Sequence, residues 1–275
     1  MHSHETAKIR EQGYGFLYHD GMIFKVLTLF PDVFQGPLES SMVGLATQRG
    51  LVSIQVTDIR SYAHDPHHTA DDYQFGGGPG MVLKPDLIFE AVDDLLSSHS
   101  DEERSTIPII MTSPQGEILT QAIAQELSLL PEIMIICGHY AGVDERLRRH
   151  LVNREISIGD YVLTGGEIPA MVLIDSVTRL IPGVVGSHEN IEEDSITSGL
   201  LQHPLYTRPA EFQGMAAPDI LRSGHHAEIL KWRRRESLRH TLDRRPDLLE
   251  TAELDKTDLT YLSTLGYTRP ETSNQ

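Results

Sequence analysis

Between Met22 and Gly159 the sequence repeatedly alternates short apolar runs of strand character with stretches whose apolar residues recur every three or four positions. A strand that is followed by a helix before it pairs again ends up parallel to its neighbour. The alternation therefore predicts an α/β fold, a mostly parallel sheet with helices on both faces. The expected strands are MIFKVLTLF from Met22, LVSIQVT from Leu51, IPIIMT from Ile107, EIMIIC from Glu132 and REISIG from Arg154. The expected helices are one opened by Pro31 and Asp32, with Phe34, Leu38, Met42 and Leu45 on its apolar face, then 84–96, 117–130 and 143–152.

Ligands of such sheets sit outside the carboxyl ends of the strands. Three of those ends are polar turns containing glycine, at 113–116, 138–142 and 159–166, and a small ligand is expected there. The segment SYAHDPHHTADDYQFGGGPGM (61–81) has no useful period and bunches five Gly or Pro residues near its end. Loops of that length in compact domains are commonly functional. After Arg179 the texture changes, and the glycine- and acid-rich stretch 181–199 reads as a linker. Helical periods around 227–242 and 257–265 then predict a smaller, mainly α domain. The expected boundaries are an extension at 1–21 outside the fold, an α/β domain at 22–184, a flexible linker at 185–198 and a helical domain at 199–275.

With 275 residues, 39% of them hydrophobic, the chain can bury a sizeable core. The single cysteine, Cys137, excludes an internal disulfide and a four-cysteine zinc site, and fits a reducing cytoplasm. The N-terminal stretch lacks the apolar core of a secretory signal and no 18-residue apolar run occurs, so no membrane segment is expected. A formal net charge of −17 opposes general nucleic-acid binding. Yet 231–245 concentrates seven of the 23 Lys and Arg against two acids, a local surface able to meet RNA.

No G-x-G-x-x-G follows the first strand and no G-x-x-x-x-G-K-[ST] occurs, so dinucleotide and nucleoside triphosphate readings fall. A Gly-Gly pair between apolar runs, as at Gly165 and Gly166, is most often a hairpin turn. Here Pro169 and a helical period follow instead of a returning strand. His64, Asp65, His67, His68, Asp71 and Asp72 crowd one polar loop but match no zinc spacing. They read as solvated side chains, or as partners for a ribose or phosphate, and no metal ligand is assigned. The DERLRRH segment reads as an exposed helix face with local ion pairs, and Asp175 with Arg179 as an i, i+4 salt bridge. Asp194, beside Glu192 and Glu193, is by default a solvent-facing acid.

Taken together, LTLFPDVF, GGGPGM, SPQG, CGHYAGVDER, SIGDYVLTGGE with IPAM, IDSVTRLIPGV, EDS and PLYTRP closely resemble the bacterial tRNA (guanine-N1)-methyltransferases of the SPOUT, or trefoil-knot, superfamily. The motifs run in the family's order from about Met22 to the end. The resemblance implies an S-adenosylmethionine-dependent enzyme that methylates N1 of guanosine 37 in tRNA. It also implies a trefoil knot in the C-terminal half of the α/β domain, a homodimer with each active site at the subunit interface, and a helical domain that grips the tRNA. By the same resemblance the cofactor is enclosed by Ser113, Pro114, Gln115, Gly116, Gly138, Tyr140, Gly142, Ser157, Ile158, Gly159, Tyr161, Leu163, Gly165, Gly166 and Pro169. Asp194 would be the general base at N1, and Arg179 would hold O6.

The chain departs from the family pattern at His139 and Ala141, where Arg and Glu are usual, and at Gln202 and Leu205, which replace an acid and a histidine. The resemblance also implies a need for Mg²⁺, and the missing carboxylates put a protein-bound ion in doubt. Two other readings share the same motifs: a knotted ribose 2′-O-methyltransferase and a non-catalytic RNA-binding module.

Overall fold

The computed structural model describes residues 21–186 and 194–269. The extension expected at 1–21 lies almost wholly outside the described residues, as does the centre of the expected linker. The chain divides into two compact units, Met1–Val185 and Gly186–Gln275.

The first unit runs β1 (Met22–Thr28), α1 (Ser41–Gln48), β2 (Val52–Asp58), β3 (Asp71–Tyr73), β4 (Met81–Leu83), α2 (Pro85–Leu95) and α3 (Asp101–Thr106). It continues with β5 (Ile109–Ile118), α4 (Gln121–Leu127), β6 (Glu132–Cys137), α5 (Glu145–His150), β7 (Arg154–Ser157) and α6 (Glu167–Thr178). Five strands form one parallel sheet, as the alternation predicts, and their order is β2-β1-β6-β5-β7. β6 is buried along its whole length, which is why EIMIIC is an unbroken apolar run after its first residue. One sheet face packs Phe24, Val26, Ile133 and Ile135 against Leu173 and Val177 of α6, Ala46 of α1 and Leu127 of α4. The other packs Leu27, Met134 and Ile136 against Leu87, Ile88 and Ala91 of α2 and Leu147 of α5. Lys25 breaks the apolar pattern of β1; its ammonium is paired with Glu132 at 2.6 Å and donates to the Leu95 carbonyl at 2.8 Å.

Four expectations need correction. The helix opened by Pro31 is only a 3-10 turn, Pro31–Phe34, because Gly36 takes a φ of +83° and Pro37 follows it. α1 then starts anew at Ser41, rotated so that Val43 and Ala46 are buried while Met42 and Leu45 are exposed. β5 does not turn at Ser113: a register shift after Thr112 lets Glu117 and Ile118 pair with Ile156 and Ser157, so α4 begins only at Gln121 under a Thr120 cap. The charged connection before Ile107 holds α3, started by a capping box in which Ser100 and Glu103 satisfy each other's backbone N–H. The stretch read as an aperiodic loop at 61–81 contains β3, which pairs with β4 as an antiparallel hairpin around the glycine cluster.

The second unit contains β8 (Glu211–Phe212), β9 (Met215–Ala216), α7 (His226–Arg244), α8 (Leu248–Thr251) and α9 (Lys256–Thr264) around Leu200, Leu238, Leu249 and Leu262. The β8–β9 hairpin and α8 were not read from the sequence, being too short to display a period. Gln213 and Gly214, with φ of +50° and +77°, make the tight turn of that hairpin. No described helix is long and apolar enough to cross a membrane.

Candidate active site

β6, β5 and β7 are neighbours in the sheet, so the three turns at their carboxyl ends meet although far apart in sequence. They enclose one cavity. It is lined by Ser113, Pro114 and Gln115 from β5, by Gly138, Tyr140 and Gly142 after β6, and by Ser157, Ile158, Gly159, Tyr161, Leu163, Gly165, Gly166 and Pro169 from β7 to α6. Gly116, the remaining expected residue, does not line it. A Cβ there would stand 2.5 Å from the backbone of Glu155 and Ile156, so this glycine serves the close approach of β5 to β7.

Backbone and hydroxyl groups tie the walls together. The Gly166 N–H donates to the Gly138 carbonyl at 2.8 Å, and the Thr112 hydroxyl donates to the Gly166 carbonyl at 3.2 Å. Ser157 accepts from the Gly159 N–H at 3.2 Å and donates to the Gly159 carbonyl at 3.1 Å. The Gly165–Gly166 pair is the entrance to α6, not a hairpin. At Gly165 a Cβ would come within 2.6 Å of His139 Nδ1, and at Gly166 within 2.8 Å of Cys137 Cα and the Gly138 nitrogen. Tyr140 holds a φ of +60°, a conformation uncommon for a bulky residue and concentrated at ligand sites.

Side chains in and behind the cavity wall that the sequence did not assign to the site tie it to other elements. Arg148, read as part of an exposed helix face, lines it; its guanidinium donates to Gln115 Oε1 at 2.9 Å and pairs with Glu155 at 3.1 Å. Arg60, just past β2, donates to the Tyr140 hydroxyl at 3.1 Å. Glu167 is buried behind Gly165, where its Oε1 accepts from the Thr28 hydroxyl at 2.7 Å. Only a capacity for pairing was visible in these residues; the hydrogen-bond partners Gln115, Tyr140 and Thr28 lie 33, 80 and 139 positions away, although Arg148 also pairs with the nearer Glu155. Cys137 lies in the core beneath, and burial, with the Glu167 charge added, pushes its thiol well above its ordinary range.

The histidine- and aspartate-rich loop is organised from within. Asp65 accepts from the Thr69 hydroxyl at 2.8 Å and from the Thr69 and His67 amides at 2.9 and 3.1 Å, which lowers its pKa to about 2. His64 faces Glu90 at 2.8 Å. Among the described residues no three His, Cys, Asp or Glu side chains converge as a metal cage.

A family model described as tRNA (Guanine-1)-methyltransferase TrmD matches residues 22–251. The chain belongs to the TrmD family. Its similarity to individual members extends over nearly their whole length. It is 54% identical over 237 residues to a tRNA (guanine-N(1)-)-methyltransferase of Dehalococcoides mccartyi, covering 86% of this chain and 94% of the relative. It is 52% identical over 257 residues to the Chloroflexus aurantiacus protein of the same name, covering 92% and 99%. The family match spans both residues that the resemblance singled out for chemistry. In this TrmD chain Arg179 ends α6, half-buried, with its N–H donating to the Asp175 carbonyl at 3.1 Å. Asp194 is half-buried at the start of the second stretch of described residues, just before a turn in which the Gly199 N–H donates to the Ile196 carbonyl at 2.9 Å.

Proposed function

We propose that this chain is a tRNA (guanine-N1)-methyltransferase that uses S-adenosylmethionine and acts on guanosine 37. The observation that carries the reading is the cavity at the carboxyl ends of β5, β6 and β7, walled largely by backbone and glycines, where an added Cβ at Gly165 or Gly166 would collide with the wall itself. Such a surface suits an adenine and a ribose, which approach amides and carbonyls closely. It contains no lysine, as a ligand without phosphate requires. S-adenosylmethionine, when bound, supplies an electrophilic sulfonium methyl.

The chain's own residues supply the rest. Guanine N1 carries a proton, so attack needs a base there and positive charge near O6, where negative charge develops. In this reading Asp194 removes the N1 proton. Arg179, always charged and fork-shaped, faces O6. The described side chains offer no cage for Mg²⁺, and no step here runs through one. The knotted threading, the homodimer, the cytoplasmic setting and the grip of the helical unit on tRNA belong to the same reading; the basic run on α7 and the apolar outer face of α6 are what support the last and the second.

Labelled methyl transfer to a tRNA bearing G37, compared with one bearing A37, is the deciding test. Transfer to G37 alone, with 1-methylguanosine on digestion, is expected; a methyl on a ribose oxygen would overturn the assignment. Asp194→Ala should lower the rate about 10²–10⁴-fold while donor binding stays near normal.

A further inference from the structure

The ladder between β5 and β7 shifts register between Thr112 and Glu117, so residues 113–116 stand outside it. Irregularities of this kind re-aim side chains beside active sites. Gly116, having no Cβ, lets the irregular stretch lie against the backbone of Glu155 and Ile156. Gln115 is thereby brought to the cavity wall, beside Arg148 of α5. One guanidinium nitrogen, Nη1, donates to Gln115 Oε1 at 2.9 Å and stands 3.1 Å from Oε2 of Glu155 on β7.

A guanidinium carries donors and no acceptor. The amide oxygen of Gln115 is therefore the end that must face Arg148, and the amide nitrogen, with two N–H groups, is the end left over. That Nε2 has no hydrogen-bond partner among the described residues, and its side chain lines the cavity.

We infer that Arg148 is a positioning residue: it fixes the Gln115 amide so that Nε2 donates to an acceptor oxygen of the methyl donor, on its ribose or its carboxylate. Glu155 makes the orientation depend on the arginine. Both carboxylate and amide sit on the same Nη1, so without Arg148 the Glu155 carboxylate becomes the strongest acceptor beside Gln115 and turns Nε2 toward itself. The wall would then show the ligand Oε1, an acceptor facing an acceptor. Arg148 touches no reacting atom in this scheme and acts on donor affinity through Gln115.

The inference rests on the methyl-donor reading of the cavity. Its test is calorimetric titration of the full chain with S-adenosylhomocysteine and with 5′-methylthioadenosine, which lacks the carboxylate. Gln115→Glu keeps the side-chain shape and strengthens the contact with Arg148 by charge, but offers the cavity an oxygen in place of the N–H. Its unfolding midpoint should be equal or higher, whereas S-adenosylhomocysteine should bind about tenfold more weakly, the worth of one hydrogen bond. A purely structural role for the pair predicts no such loss. The same loss with 5′-methylthioadenosine places the oxygen on the ribose, and a loss confined to S-adenosylhomocysteine places it on the carboxylate. Arg148→Met should weaken binding about as much, but by no more than about twofold when Gln115→Met is already present, because no amide is then left to orient. Unchanged affinity in Gln115→Glu, or equal losses from Arg148→Met with and without Gln115→Met, overturns the inference alone. No binding by the unsubstituted chain overturns the donor reading and the inference with it. Should Arg148→Met fail to fold, Gln115→Glu still decides.

Discussion

At the residue scale, two adjacent glycines do different work. Gly165 borders the cavity, and a methyl group there would meet side-chain atoms of His139 and Glu167 that can shift. Gly166 borders backbone of Cys137 and Gly138, which cannot shift without moving β6. Gly165→Ala should therefore impair donor binding with little change in the unfolding midpoint. Gly166→Ala should cost about 1–3 kcal/mol of stability as well, the usual penalty of overpacking. Denaturant unfolding beside calorimetry tests this, and equal unfolding midpoints for the two variants would refute it. The Gly-Gly pair was legible as a turn at a strand's carboxyl end where a ligand should be sought. What each glycine touches was not, because Thr112, Cys137 and His139 come from other strands and turns.

At the element scale, α7 shows how far composition can be trusted. Its basic run is real, yet much of the charge is spent locally. Arg234 grips the buried Asp258 of α9 at 2.6 Å, Lys231 pairs with Glu228 at 2.7 Å, and Arg239 pairs with Glu236. Arg235 lies over the Tyr261 ring at 5.5 Å. Arg234→Ala should thus destabilise the helical unit by about 1–3 kcal/mol, the range for leaving a buried polar group without its partner, read as a lower unfolding midpoint. Arg244→Ala, on an exposed position, should instead weaken tRNA binding and reduce its salt slope by about one. The reverse pattern would reassign both residues.

The loop at 65–69 makes a prediction of the same scale. The Asp65 carboxylate is held well below its ordinary 3.8, so its support for the loop is complete above pH 3.8 and disappears as pH falls through about 2. The Thr69 amide proton should report this by NMR with a midpoint near 2. A midpoint near 3.8 would mean that the three hydrogen bonds to Asp65 do not form. The sequence read the residues of this loop as solvated side chains or as partners for a ribose or phosphate; the short separations between Asp65, His67 and Thr69 close them into a turn on itself.

At the scale of the whole molecule, α6 is apolar around most of its circumference. Leu173, Ile174 and Val177 face the core, while Ile168 and Val172 lie exposed one turn apart. α1 and the 3-10 turn at Pro31–Phe34 pack on α6 and expose Met42, Leu45 and Val33. A helix apolar on two faces is expected to have two partners. We expect a homodimer through this surface, and Ile168→Glu with Val172→Glu should yield a monomer in sedimentation and abolish methyl transfer. A monomeric unsubstituted chain at working concentration would sink the proposal.

The strand and helix alternation determined the parallel α/β class, because apolar periodicity and parallel crossover are local consequences of residue order. It also determined where a ligand should be sought, since turns at strand ends are readable from glycine and polarity. Motif order named the family. Lateral strand order was decided only in the tertiary structure: nothing within Ile109–Ile118 or Glu132–Cys137 says that β5 lies between β6 and β7. That order brings Arg148 to Gln115, Arg60 to Tyr140, and Thr28 to Glu167 beside His139. Hydrogen bonds and ion pairs act over a few ångströms in space, and a chain's residue order constrains such distances only between near neighbours.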